Sequence, residues 1–354
     1  MSSIFGHEQA RHLLARALAE GRLPGALLFT GPEGVGKKTL ALEVARTALC
    51  VQEGAPGCGC THCRRIARSL DQLDEWRERA RQASREPAGL NFRLHPDLVL
   101  AESWPTGIKI EQVRDLIAEV MSPPFEARAR AFVVDDAHRL TEQAANALLK
   151  SLEEPPATSH LLLVTASPQQ LLPTVRSRCQ TLRLSALPTP LLEEHLQQRV
   201  GLAPDEARLR ATLAGGSLGA ALAFEGDAYR GLRDELLEML EGLARGGPLS
   251  RMEAAERLAE REDLGLAFIA LRTLLRDVAA AGVGAPAERL LNRDVAARVE
   301  ALAHGPLGVK AAALAEMAAE LGQLVVRSNA NKLLALDALL EGLIQPLPLG
   351  LPVR

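Results

Sequence analysis

A glycine-rich segment between two apolar stretches constrains the fold of this chain more than any other feature. Residues 31–39 read Gly-Pro-Glu-Gly-Val-Gly-Lys-Lys-Thr, and we call them the glycine-rich loop. They follow a short apolar run at 26–30 and precede a helical pattern at 37–49. A buried strand, a glycine-rich turn and a helix in this order form the phosphate-binding loop of nucleotide-binding α/β folds.

The loop residues predict specific contacts with phosphate. Glycines allow backbone N–H groups to surround phosphate oxygens, and the lysine reaches the terminal phosphates. The residues predicted for these contacts are Gly31, Gly34, Gly36 and Lys37. The structural alternative is a tight strand-to-helix turn that binds nothing.

One residue departs from the working pattern. Lys38 stands where a Ser or Thr hydroxyl normally ligates the Mg²⁺ of the nucleotide, and an ammonium cannot do this. Thr39 comes one residue too late, about 100° further around the helix. The chain therefore predicts a nucleotide fold with a degenerate site, where retained and lost binding of ATP and Mg²⁺ are both open.

An acidic pair is predicted to complete this site. Asp135 and Asp136 follow the apolar run at 131–134, and an Asp at a strand end can hold Mg²⁺. In active relatives of such a site the next residue is a Glu, which orients the attacking water. The carboxylate of Asp136 falls about 1.5 Å short of that position, which lowers the efficiency of a base. The alternative is an ordinary strand end with solvated acids.

The apolar pattern predicts the fold class. Runs at 131–134 and 161–165 flank a helical pattern at 141–153, which indicates a parallel α/β sheet. Beyond residue 184 strand signals end, and helical patterns continue to 345. We expect three domains at 1–184, 185–226 and 227–354. The charged stretch at 70–94 predicts a helix or loop inserted into the first domain.

Four of the five cysteines form a cluster within fourteen residues. Together they predict a closed structural zinc site with four thiolate ligands. These residues are Cys50, Cys58, Cys60 and Cys63. The spacing Cys58-x-Cys60 is tight for two ligands of one ion, so His62 is an alternative ligand. Reduced cysteines without a metal are the remaining interpretation.

Charge and hydropathy limit the function classes. A net charge of −3 argues against a chain that coats nucleic acid by itself. The sequence shows neither a basic-then-apolar signal segment at its start nor an uncharged apolar run of membrane-spanning length. We therefore expect a cytoplasmic protein without membrane contact.

Longer motifs carry a family resemblance. The chain resembles the clamp-loader branch of the AAA+ ATPases over nearly its whole length. The most specific segments are Asp135–Pro156, which contains Asn-Ala-Leu-Leu-Lys-Ser-Leu-Glu-Glu-Pro-Pro, and Leu172–Cys179, which ends in Ser-Arg-Cys. His95-Pro-Asp97, the segment 108–114, Gly216-Ser-Leu-Gly219 and the segment 329–336 also match.

The resemblance implies an architecture and partners. It implies an AAA+ nucleotide-fold domain with an inserted zinc module, a helical lid and an all-α collar that joins a five-subunit ring. The implied partners are the gamma/tau ATPase subunits and the delta subunit of a DNA polymerase III clamp loader, the sliding clamp, and primer-template DNA. The four cysteines match the family's zinc ligands, although the family usually has one more residue between Cys58 and Cys60.

Two kinds of subunit fit the family pattern. An ATPase-deficient subunit is favoured by Lys38, by Asp136 and by the lack of an Arg at 219–221. Residues Thr165–Ser167 occupy the stretch that contacts the γ-phosphate in active members of the family, and they lack the Asn that is usual there. The resemblance then implies that Arg178 acts in trans as an arginine finger on a neighbouring ATPase. The alternatives are an active gamma/tau-type subunit or other AAA+ ATPase, and a scaffold that supplies no finger.

Overall fold

The computed structural model describes residues 4–52, 58–82, 90–103, 107–243, 248–327 and 331–344. The chain divides into two compact units. The first comprises Met1–Leu192 and Ala214–Leu222, and the second comprises Glu193–Leu213 and Ala223–Arg354. The separate domain expected at 185–226 stays a prediction. Residues 83–89 of the charged stretch, 329–330 of the late motif and 345–354 lie outside the described residues.

Unit 1 is built on a six-stranded sheet in the order β2-β3-β4-β5-β1-β6. All neighbouring strands are parallel except the antiparallel pair β2 and β3. The strands are β1 Ala26–Thr30, β2 Leu90–His95, β3 Leu98–Glu102, β4 Arg130–Val134, β5 Ser159–Thr165 and β6 Gln180–Arg183. The predicted parallel α/β sheet is confirmed, while β2, β3 and β6 were not predicted. Residues 90–94, expected in the charged insertion, belong to β2.

Helices cover both faces of this sheet. They are α1 Glu8–Ala19, α2 Lys37–Leu49, α3 Thr61–Asp71, α4 Leu73–Gln82, α5 Ile110–Val120, α6 Glu142–Glu153 and α7 Pro173–Arg176. Along β1, Leu27 and Phe29 join one apolar core, while Ala26 and Leu28 join the other. Burial on both faces explains why β1 is an uninterrupted apolar run. At α6 the Thr141 side chain accepts a hydrogen bond from the backbone N–H of Ala144 and so caps the helix.

Every described element after Arg183 is helical, as the sequence predicted. The helices are α8 Thr189–His195, α9 Pro204–Leu213, α10 Leu218–Ala223, α11 Gly226–Leu243, α12 Pro248–Ala259, α13 Leu264–Gly282, α14 Ala296–Ala303, α15 Pro306–Arg327 and α16 Lys332–Ile344. The turn Leu196–Val200 is π-helical, and short 3₁₀ turns lie at Ala137–Arg139, Pro168–Gln170, Ala287–Arg289 and Arg293–Val295. None of the described helices has the length and apolar character that a membrane crossing requires.

Unit 2 packs around a leucine-rich core with a buried polar cluster. The Tyr229 hydroxyl lies 2.7 Å from Thr273 Oγ1 and donates to Asn292 Oδ1 at 2.9 Å. The buried Asp277 carboxylate accepts backbone N–H groups from Leu291 at 3.1 Å and Asn292 at 2.8 Å. Because these polar groups satisfy one another, their burial is compatible with a stable helical core.

Candidate functional site

The glycine-rich loop leaves β1 at Gly31 and enters α2 at Lys37. Gly31, Gly34 and Gly36 have φ values of 143°, 70° and 100°, in the region that favours glycine. A Cβ at Gly31 would collide with the carbonyl oxygen of Leu184. The carbonyl of Gly34 accepts the backbone N–H of Gly219 at 2.9 Å. The three glycines are therefore required by backbone geometry and close packing.

A cleft of about 400 Å³, which we call the loop cleft, lies over this loop. Its volume is within the range typical of small-molecule sites. The structure brings the loop and the acidic pair together there, as the sequence predicted. The predicted nucleotide residues that line it are Gly34, Gly36, Lys37, Lys38, Thr39, Asp135 and Asp136, whereas Gly31 lines a different cleft.

The Lys37 side chain turns back onto its own loop. Its Nζ donates to the carbonyl oxygen of Pro32 at 2.6 Å, and the residue is 7% exposed. Burial lowers the pKa of Lys37 below its ordinary value, although the nearby Asp135 carboxylate acts in the opposite direction. Any phosphate that Lys37 binds must therefore compete with the Pro32 carbonyl.

The Lys38 ammonium lies between two carboxylates. Its Nζ pairs with Glu102 and lies 3.0 Å from Asp135 Oδ2. Arg77, from α4, donates from Nε to the Glu102 carboxylate at 2.8 Å and contacts its other oxygen through a terminal nitrogen. Burial would raise the pKa of Glu102, but Arg77 and Lys38 lower it below the ordinary value, so Glu102 is ionised. Two cations and two carboxylates thus form a compact charge cluster.

Glu102 and Arg77 were not predicted as site residues. Glu102 ends β3, and the apolar run Leu98–Ala101 followed by an acid was the signal for such a position. Arg77 had no comparable signal, because it is one of many arginines in the charged stretch at 70–94. Only the packing of α4 identifies it as the one that reaches Glu102.

Asp136 has an unusual backbone and a shifted pKa. Its φ of 49° is left-handed, which is uncommon for a residue with a side chain. Burial raises the pKa of Asp136, and the neighbouring Asp135 carboxylate raises it further. At the end of β5, the Thr165 hydroxyl lies 3.1 Å from His138 Nδ1 and accepts the N–H of Ser167 at 3.0 Å.

Arg178 lies outside the loop cleft and follows the short helix α7. Its Nε donates to Glu153 Oε1 at 2.6 Å, and a terminal nitrogen donates to the Thr174 carbonyl at 3.0 Å. Its side chain is 31% exposed. Glu153, at the end of α6, therefore holds the guanidinium in a partly exposed position from which solvent or a partner can reach it.

The four cysteines of the cluster converge. All four Sγ atoms lie within 4.8 Å of one another, with Cys50 to Cys58 at 3.5 Å and Cys50 to Cys60 at 3.8 Å. A tetrahedral zinc ion with Zn–S bonds near 2.3 Å separates its sulfurs by about 3.8 Å. Cys60 caps α3 by accepting the N–H of Cys63 at 3.5 Å. The donor set and the spacing therefore fit a closed four-thiolate metal site.

The tight spacing within the cluster is accommodated locally. The backbone N–H of Cys60 donates to Cys58 Sγ at 3.4 Å, which turns both thiols to the same side of the chain. His62 is not part of this convergent group, and its Nδ1 lies 2.9 Å from His95 Nε2. The structure thus assembles the four-cysteine set rather than the alternative with His62.

His62, His95 and Glu126 form a second group that resembles a metal site in composition only. His95 Nδ1 accepts the N–H of Asp97 at 3.0 Å, so the proton of the neutral ring is on Nε2. Burial lowers the pKa of His95, which favours this neutral form. A metal-ligating histidine needs a free lone pair on the ligating nitrogen. This group is therefore a hydrogen-bonded link between α3 and β2.

Comparison with known proteins identifies the family. A family model described as "DNA polymerase III, delta subunit" matches residues 6–188. The DNA polymerase III subunit delta' of Pseudomonas aeruginosa is 31% identical, with 73% of this chain and 71% of that protein covered. The chain belongs to the delta-prime family of DNA polymerase III clamp-loader subunits. The clamp-loader resemblance drawn from residues 135–179 is thereby confirmed.

Other relatives include both kinds of clamp-loader subunit. Subunit delta' of Bacillus subtilis is 31% identical, and the match covers 65% of this chain and 63% of that protein. Subunit tau of Salmonella typhimurium is 32% identical, and the match covers 64% of this chain and 33% of that protein. Delta-prime membership therefore rests on the family model and the delta' relatives, while the tau match reflects the shared clamp-loader family.

Proposed function

We propose that this chain is the ATPase-deficient stator of a DNA polymerase III clamp loader. In that role it supplies Arg178 to a neighbouring ATPase subunit while the sliding clamp is placed on primed DNA. The observation that carries the proposal is the Lys38 ammonium, which pairs with Glu102 and lies 3.0 Å from Asp135. The proposed partners are gamma/tau, delta, the sliding clamp and primer-template DNA, in the cytoplasm.

The charge cluster opposes magnesium binding. Mg²⁺ requires oxygen ligands, and Asp135 is the carboxylate predicted to supply one. Its negative charge is already paired with Lys38, and Glu102 is paired with both Lys38 and Arg77. A unit charge 4 Å away costs about 4 kcal/mol at an effective dielectric of 20, and the ion carries two. The site therefore favours its own ammonium over the metal.

The remaining departures support the same function. Asp136 is shorter than the Glu that orients water, and no Arg occurs at 219–221 to sense a terminal phosphate. Gly219 instead packs directly on the loop, with its N–H on the Gly34 carbonyl. Without magnesium, a water-orienting base and a phosphate sensor, intrinsic ATP turnover is expected to be negligible.

Arg178 is the residue that we propose acts on the partner's nucleotide. Its guanidinium is partly exposed and tied to Glu153, which limits the rotamers that it must search. An arginine supplied in trans stabilises charge on the transferred phosphoryl group and is worth about 10³–10⁵ in rate. This contribution needs no nucleotide in the loop cleft of the chain itself.

The test uses a reconstituted clamp loader with variants of this chain. Arg178→Ala is expected to lower the clamp- and DNA-stimulated ATPase rate by roughly 10³-fold while assembly is unchanged. Arg16→Ala is the matched control, since it also removes an exposed arginine paired with one glutamate. A full stimulated rate with Arg178→Ala would favour a scaffold without a finger.

An active ATPase is the competing function, and similarity to tau together with the retained Lys37 and Asp135 favours it. The rate of ATP hydrolysis by the isolated chain distinguishes the stator from an active ATPase. The proposed stator shows no magnesium-dependent hydrolysis above the level of Lys37→Ala, whereas robust turnover would reclassify the chain as a motor subunit.

The cysteine cluster is proposed to hold structural zinc. Cys50, Cys58, Cys60 and Cys63 would be its ligands, and a closed four-thiolate site has no open position for substrate. The ion would fix the end of α2 to the start of α3, because Cys50 follows α2 and Cys60 caps α3. The site would therefore be structural.

A further inference from the structure

A second cleft, which we call the edge cleft, lies along the edge strand β6. Its volume is about 650 Å³, and it shares only Ala166 with the loop cleft. In the sheet register, Thr30 of β1 is opposite Arg183 of β6, and Leu28 is opposite Thr181. Register partners in neighbouring parallel strands point to the same face of a sheet. Thr30 and Arg183 therefore stand side by side at the carboxyl ends of their strands.

The charge of the edge cleft has one sign. Arg183 lines it from β6 and Arg176 lines it from α7, and no carboxylate is among its lining residues. Within the described ranges, neither guanidinium has a carboxylate partner. In contrast, Arg77 and Arg178 each pair with a glutamate. An unneutralised pair of arginines in one concave site attracts an anion, even though the whole chain carries a charge of −3.

The Thr30 side chain provides a polar group in the edge cleft. Thr30 is only 6% exposed and lines the edge cleft. Among the residues that the structure describes, its hydroxyl has no hydrogen-bond partner. Its neighbour Thr165, opposite it in β5, is hydrogen-bonded to His138. The Thr30 hydroxyl can therefore donate a hydrogen bond to a ligand oxygen in the edge cleft.

We propose that the edge cleft is a second phosphate-binding site, distinct from the loop cleft and independent of magnesium. Gly31 and Pro32, the first two residues of the glycine-rich loop, form part of its wall. Its ligand is a small phosphate-bearing anion, either inorganic pyrophosphate or the phosphate tail of a free nucleotide. Guanidinium groups match phosphate oxygens with paired N–H donors, and two of them offset part of the negative charge of pyrophosphate or of a nucleotide tail. The hydroxyl of Thr30 adds a neutral hydrogen bond. This proposal does not depend on the stator function.

Calorimetric titration of the full chain with inorganic pyrophosphate tests the proposal, with EDTA present so that magnesium cannot contribute. The wild-type chain is expected to bind pyrophosphate. Combined Arg176→Ala and Arg183→Ala is expected to weaken binding roughly 10- to 100-fold, because two charge-assisted contacts are lost. Thr30→Val, which keeps the shape of the side chain, is expected to weaken it roughly 3- to 10-fold.

Two further variants distinguish binding in the edge cleft from non-specific attraction by surface arginines and from binding at the loop cleft. Combined Arg16→Ala and Arg22→Ala removes the same charge from an exposed surface and is expected to leave binding unchanged. Lys37→Ala tests the alternative that pyrophosphate binds at the loop cleft, because binding there would depend on this lysine. Thermal unfolding of each variant verifies that the chain is folded.

The outcomes decide both the site and the ligand source. No binding by the wild-type chain, or binding lost in Lys37→Ala but retained in the Arg176 and Arg183 variant, would overturn the proposal. A nucleotide tail is a ligand if two results are obtained. ATP without magnesium must displace pyrophosphate from the wild-type chain, and the arginine variant must bind neither pyrophosphate nor ATP. If ATP leaves pyrophosphate bound, the site is specific for the inorganic anion.

Discussion

The cysteine cluster and the glycine-rich loop each depart from a familiar motif by one residue, and the structure treats the two departures differently. Between Cys58 and Cys60 one residue is missing, yet a local N–H to sulfur hydrogen bond at 3.4 Å still turns both thiols inwards. In the loop, Lys38 replaces a hydroxyl, and its ammonium pairs with the carboxylates of Glu102, at the end of β3, and Asp135, directly after β4. We expect a departure to be tolerated when the ligand atoms still converge, and to weaken ion binding when another charged group pairs with the predicted ligands.

The largest expected effect concerns the cluster. Cys60→Ser is expected to weaken zinc binding roughly 100-fold or more, because one of four thiolates is lost from a site worth about 10–16 kcal/mol in total. Competition with a chromophoric chelator measures this. Cys58→Ser should have a comparable effect if the short spacing is fully accommodated. An unchanged affinity in Cys58→Ser would mean that the departure removes a ligand after all.

The charge cluster is expected to contribute pH-dependent stability. Because the pKa of Glu102 is lowered in the folded chain, its contribution is complete above the unfolded value near 4.5 and is lost as pH falls through the lower folded pKa. Glu102→Gln is expected to cost roughly 3 kcal/mol at pH 7, because two cations lose their partner. Denaturant unfolding from pH 7 to pH 3 measures the difference, which should shrink on acidification. A constant difference would show that the carboxylate is not stabilised by these pairs.

Removal of both cations is expected to open the loop cleft to magnesium. Lys38→Thr combined with Arg77→Ala should increase magnesium-dependent ATP affinity roughly tenfold, since Asp135 and Glu102 would no longer be paired. Either substitution alone leaves one cation in place and is expected to give a smaller change. Lys38→Arg, which keeps the positive charge, is the control. An equal increase of ATP affinity in Lys38→Thr and in the double variant would show that Arg77 does not oppose magnesium binding.

The smallest expected effect is that of a substitution at His62, which tests whether this residue is a zinc ligand. His62→Ala is expected to leave zinc affinity unchanged within about threefold and the stoichiometry at one ion per chain, because the four cysteine Sγ atoms converge without His62. The chelator competition that is applied to the cysteine variants measures this as well. A loss as large as that in Cys60→Ser would make His62 a ligand.

Sequence patterns predicted the parts of the molecule that depend on local spacing. The strand before the glycine-rich loop, the helix after it and the capped helix α6 all appear close to their expected positions. Strands β2, β3 and β6 were missed, since short edge strands with mixed polarity have weak periodicity. The cysteine cluster was predictable because its four members lie within fourteen residues.

The sequence by itself determined that this chain has an α/β nucleotide fold with a flawed loop, a four-cysteine cluster and a helical remainder. Only the tertiary structure showed which groups Lys38 contacts in place of a magnesium ion, namely the carboxylates of Glu102 and Asp135. Lys38 is 64 residues from Glu102, and Arg77 is 25 residues from it, so no local pattern reports that they meet. The edge cleft likewise joins Thr30 to Arg176 and Arg183. Charge pairing and cavity lining depend on distances in space, and sheet topology sets those distances.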